Sequence, residues 1–144
     1  MRASCQGRFL TLHLRTAEQF QVVMNAGVLA QSPHFALHGM RLSLAGANAP
    51  LFAHAPSHLG VVLPKRHAKK AVRRNLLRRQ VVSLGRDLNT ALHDSALVVR
   101  LKRGFDEKTF ISASSVLLKK AVRSELSDLF HRGLRRLPQK GPSA

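Results

Sequence analysis

The chain of 144 residues has no Trp and no Tyr, and its seven Phe supply nearly all of its aromatic area. A broad base-stacking platform of the kind used by single-strand binders is thereby excluded. One cysteine, Cys5, excludes an internal disulfide and a multi-cysteine zinc site, and fits a reducing cytoplasm. Acids are scarce, at seven Asp and Glu against 24 Lys and Arg. None of them pairs as an obvious acid/base couple. Asp106 and Glu107 are adjacent, but negative charge at the start of a helix accounts for them. A two-metal nuclease needs several converging carboxylates, and the basic part of the chain offers none. There is no Gly-rich phosphate loop. No apolar run approaches the roughly 18 residues of a membrane span. The N-terminal MRASCQGRFLTL lacks the apolar core of a signal peptide, so cytoplasmic residence is expected.

Eight histidines raise the question of a metal. His34/His38 and His54/His58 share a four-residue spacing. On a strand that spacing separates side chains by roughly 13 Å, too far to chelate one ion. The second pair also brackets Pro56. No metal site is expected of the polypeptide, and no small-molecule substrate.

What the chain does have is positive charge. Net charge is +17, which points to nucleic acid first and an anionic membrane second. With 44% hydrophobic residues the sequence can still bury a core, and its length suggests one domain. The charge peaks between Lys65 and Arg79, KRHAKKAVRRNLLRR, with eight Lys or Arg and no acid. Ala68, Ala71, Val72, Leu76 and Leu77 run through it. Most of these residues favour helix, so a helix is expected from Lys65 or Ala68 to Leu84, stopped by Gly85. Leu77, Val81 and Leu84 form the side expected on the sheet. Ala71, Arg74, Asn75 and Arg78 form another, expected to face RNA. Asn75 is locally unfavourable in mid-helix, which hints at an external role for its amide. Apolar and basic residues interleave here, unlike the wide apolar face of a membrane-surface helix, so no membrane partner is expected.

The surrounding elements follow from pattern. Thr16-Ala17-Glu18-Gln19 reads as a capping box, starting a short helix to Asn25 with Gly27 just beyond. Phe20, Val23 and Met24 share one face of it, suited to core packing. Strands are expected at Val28–Ala30, Phe35–Leu44, His58–Leu63 and Ala96–Leu101. A loop spans Ala45–Ser57, and a last helix runs from Glu107 or Thr109 to about Gly133. The order α-β-β-β-α-β-α gives an α+β fold, a four-stranded sheet packed with helices. Residues 1–11 are expected to be a flexible N-terminus, 12–132 one RNA-binding domain, and 133–144 a disordered tail.

The segment VVLPKRHAKKAVRRNLLRRQ resembles the signature of the bacterial ribonuclease P protein subunit, in which a strand runs into a basic helix with an Arg-Asn-Arg core. Ala71, Val72, Arg74, Asn75, Arg78 and Arg79 match that pattern. Leu76 stands where the family usually has the second Arg. The likeness is strongest over Gly60–Gln80 and extends loosely from Leu12 to Arg132. It implies a left-handed βαβ crossover around the basic helix (a ribosomal protein S5 domain 2-like fold). It also implies the accessory subunit of an endonuclease whose RNA, with Mg2+, is the catalyst. The protein would bind that RNA and the 5′ leader of precursor tRNA, and would cut nothing alone. By residue match the RNA contacts would be Lys65, Arg66, Lys69, Lys70, Arg74, Asn75, Arg78 and Arg79, with Arg73 as a candidate substitute for the missing cation at Leu76. Phe20, Met24 and Phe35 would line the leader cleft. The alternative from the same charge and fold class is a ribosomal or ribosome-assembly RNA-binding protein with no role in tRNA cleavage.

Overall fold

In the computed structural model the described residues are 11–42, 52, 57–88, 94–105 and 116–137. They form β1 (Thr11–His13), α1 (Ala17–Asn25), β2 (Val28–Gln31), β3 (Phe35–Arg41), β4 (Ser57–Val62), α2 (Ala71–Asp87), β5 (Ser95–Leu101) and α3 (Val116–Arg136). The four expected strands and three helices are present in the expected order. A three-residue strand, β1, precedes them and makes the sheet five-stranded, in the order β1-β4-β5-β3-β2. β1, β4 and β5 run parallel, while β3 pairs antiparallel with both β5 and β2. The basic helix α2 is therefore the crossover between two adjacent parallel strands.

β3 and β5 are buried along both faces, because Leu37, Leu97 and Val99 alternate with Ala36, Ala96 and Val98. Such strands need cover on both sides. On one side, α2 contributes Leu77, Val81 and Leu84, and α3 contributes Leu118, Val122, Leu126, Leu129 and Phe130. On the other, α1 lays Val23 across β3 and β5, with Leu14 and Phe52 beside it. The sheet is thus sandwiched, with α1 alone among the helices on its own face.

The capping box forms as the sequence predicts. The Gln19 amide N–H donates to Thr16 Oγ1 at 3.1 Å, and the Thr16 N–H donates to Gln19 Oε1 at 3.1 Å. Two helix ends differ from expectation. α2 does not stop at Gly85, which is buried within it; Leu88 N–H still bonds to the Leu84 carbonyl, and Leu88 packs on the core. α3 continues past Gly133 to Arg136, because Gly133 is the point of closest packing on Leu37, and Leu137 beyond it is buried. Residues 133–137 thus belong to the folded body. The expected start of α3, most of the loop over 45–57, residues 138–144 and Cys5 lie outside the described residues.

Candidate RNA-binding surfaces

The basic stretch divides into a turn and a helix. After β4, the Pro64 carbonyl accepts from the N–H groups of His67 and Ala68, closing a turn over Lys65–Ala68. Those bonds delay the helix to Ala71, later than the pattern suggests. The backbone of this turn is pressed against Gly104 at the end of β5, where a Cβ would overlap the His67 carbonyl. Arg74 straps the turn to the helix, its Nη1 donating to the carbonyls of Ala68 and Lys69, each at 2.8 Å. The cations of the turn are thereby mounted on a fixed frame.

Lys65, Arg66, Lys69, Lys70, Asn75, Arg78 and Arg79 are all exposed, and Arg74 is half-buried. Leu77, Val81 and Leu84 point into the core, as their spacing implies. Two ion pairs are seen among the described residues, Arg123–Asp87 and Arg132–Asp128, and His34 Nδ1 lies in hydrogen-bond contact with Glu125 Oε1 at 2.8 Å. None draws on these exposed cations. Like charges held this close repel one another, and an anionic partner relieves that cost.

Arg73 departs from its expected role. It is only 6% exposed, and its Nη1 donates to the Phe105 carbonyl at 3.4 Å. Phe105 in turn stacks on His34, with ring centroids 3.8 Å apart, and His34 bonds Glu125 of α3. Arg73 thus ties α2 to the end of β5 and, through Phe105, toward α3. A buried guanidinium committed to a carbonyl cannot replace an outward cation at position 76. Leu76, likewise 6% exposed, packs in the α2–α3 core.

The residues expected to line a leader cleft divide between the two faces. Phe20 and Met24 are half-buried on α1, at the margin of the smaller core cluster. Phe20 lies over β4 with its ring edge at Gly60. Phe35 belongs to the opposite face. It is fully buried in the core under α2 and α3, its ring 5.9 Å from that of Phe105. The alternation of β3 dictates this, because Phe35 shares the parity of Leu37. Phe35 is a core residue and lines no cleft.

The α1 face holds groups that the charge count alone did not single out. His38 and His58 lie on it, 6% and 2% exposed. Burial lowers the pKa of both, and Arg100 adds to the effect at His38. Arg100 donates from Nε to His38 Nε2 at 3.4 Å. It shares the parity of Ala96 and Val98, so it stands on the sheet face that α1 covers, and it is half-exposed. The alternation in ALVVRL was the signal that could have placed it.

No helix of the described residues is long and apolar enough to cross a membrane. The chain is similar to known proteins along most of its length. The family model for ribonuclease P matches residues 11–129. The ribonuclease P protein component of Ralstonia pickettii is 31% identical over 131 residues, covering 91% of this chain and 84% of that protein. The protein component of Paraburkholderia xenovorans is 32% identical over 84 residues, 58% of this chain and 60% of its own. Among solved structures, the Staphylococcus aureus RNase P protein superposes with a TM-score of 0.60 at 12% identity, covering 83% of this chain and 92% of its own. The Thermotoga maritima RNase P protein gives 0.59 at 21% identity, covering 83% and 97%. The likeness sets aside the ribosome-assembly alternative: this chain belongs to the ribonuclease P protein family, as the accessory, RNA-associated protein subunit of an endoribonuclease.

Proposed function

We propose that the protein holds two RNAs on the two faces of one sheet. The catalytic RNA lies on the α2 side, against Lys65, Arg66, Lys69, Lys70, Arg74, Asn75, Arg78 and Arg79. The 5′ leader of precursor tRNA lies on the α1 side, against Phe20 and Met24, with Arg100 as a phosphate partner at the edge. The observation that carries this reading is the rigid mounting, by Arg74, of exposed cations at the turn and first half of α2 that pair with no carboxylate among the described residues. Phosphate contacts of this kind position an RNA without reading its sequence.

Two polyanions brought together repel, and a cationic body between them lowers that cost. The hydrolysis itself is assigned to the RNA and its Mg2+. No step is assigned to a side chain of this protein; His34, which bonds a carboxylate, is engaged in the fold through Glu125 and Phe105. Reconstitution tests the reading. Added to its cognate catalytic RNA, the protein lowers the Mg2+ concentration needed to cleave precursor tRNA and favours substrate over mature tRNA. Cleavage by the polypeptide alone, or no change in Mg2+ requirement, would overturn it.

A further inference from the structure

Between α2 and α3 runs a groove whose α2 wall carries two of the contacts assigned above, Asn75 and Arg79, and whose α3 wall carries none of them. Its upper part is a cavity of ≈ 330 Å³ lined by Val72, Asn75, Leu76, Arg79, Gln80 and Lys119. Its lower part, ≈ 660 Å³, shares Gln80 and Lys119 with the first and continues along Leu84, Lys120 and Arg123. Among the described residues no carboxylate lines either part.

The lining combines three chemistries. Val72, 57% exposed, and Leu76 give an apolar wall. Asn75 and Gln80 offer amides, each with two donors and an acceptor. Arg79 and Lys119 bring cations to the rim from both helices. Arg123 is committed elsewhere, bonding Ser83 Oγ at 3.0 Å and pairing with Asp87, so it closes the lower end of the groove. An apolar wall suits the face of a base, amides suit its edge, and cations suit the phosphate. That combination reads unstacked nucleotides, whereas a duplex would meet a plain cationic surface. A lipid surface would require a wide apolar face, and an acidic peptide would leave the amides and the apolar wall unused.

We infer that the α2–α3 groove is a nucleotide-binding site that accepts an unpaired nucleotide of the partner RNA, with Lys119 of α3 on its phosphate and Asn75 and Gln80 at its base edge. This rests on the RNA-binding reading above and extends it from α2 onto α3.

The test uses the full chain and its cognate catalytic RNA. A photocrosslinking side chain at Val72 is expected to mark one or a few nucleotides that chemical probing of the free RNA shows to be unpaired. Crosslinks only to duplex, only to precursor tRNA, or to none would overturn the site. Lys119→Ala and Val72→Glu are both exposed changes and should leave thermal unfolding unaltered. Lys119→Ala is expected to weaken RNA binding and to reduce the steepness of its salt dependence by about one unit. Val72→Glu, which sets an acid beside the phosphate, should weaken it more. Arg135→Ala, roughly 24 Å away along α3, should change neither. If wild type binds and Arg78→Ala weakens it while both groove variants bind normally, this inference fails and the α2 reading stands. Failure of wild type to bind at all would overturn both.

Discussion

Gly60 of β4 and Phe20 of α1 are packed so closely that a Cβ on Gly60 would stand 2.5 Å from Phe20 Cε1 and 2.9 Å from Leu14 Cδ1. The small residue sets the depth at which the Phe20 ring sits on the sheet. Gly60→Ala is expected to cost about 1–3 kcal/mol of stability through overpacking. It should also push the ring outward and lower the preference for leader-bearing over leaderless tRNA. Unfolding by denaturant and paired affinity measurements check the two effects separately.

Arg73 and Arg79 are both arginines of the basic helix, yet their truncation should fail in different ways. Arg73→Ala removes a buried donor from the Phe105 carbonyl and is expected to destabilise by about 1–3 kcal/mol. Affinity of the folded fraction for RNA should hold. Arg79→Ala, at an exposed site, should change stability by less than about 0.5 kcal/mol while weakening RNA binding. Thermal melts and binding isotherms on the same two variants separate these roles.

Gly133 lies where α3 touches β3, and a Cβ there would overlap Leu37 Cδ2. Leu37 is fully buried and has little room to turn aside. Gly133→Ala should therefore lose more through overpacking, about 1–3 kcal/mol, than it gains from helix propensity, about 1 kcal/mol. A rise in melting temperature would show that α3 does not seat on β3 as described.

Stability should also depend on pH through the α1 face. His38 and His58 have pKa values lowered from 6.5 by burial, with Arg100 contributing at His38. The unfolded chain takes up protons at these sites near pH 6.5, while the folded chain resists until lower pH. Their contribution is thus fully present above pH 6.5 and is lost as pH falls through the lowered folded values. His58→Leu should flatten the fall in stability below pH 6.5, read by denaturant midpoints across the range.

The elements that sequence made legible are those with a local signature. The capping box at Thr16 and Gln19 needs four residues, and Leu77, Val81 and Leu84 declare their face by helical spacing alone. The family resemblance was likewise carried by one contiguous segment. What was not legible depends on partners far along the chain. Arg73 looks like its neighbours until Phe105, 32 residues later, takes its proton donor. The family resemblance groups Phe35 with Phe20, but strand parity sets it on the other face of the sheet. Gly85 and Gly133 carry the usual signal of a helix end, and packing against distant elements overrides it. β1 is a strand only because β4 pairs with it.

The most direct test of the account is the salt dependence of binding to the catalytic RNA. If about five of the exposed cations between Lys65 and Arg79 neutralise phosphates, log affinity should fall against log salt with a slope of roughly −4. A slope near zero would mean that this face does not meet phosphate, and the central claim would be contradicted.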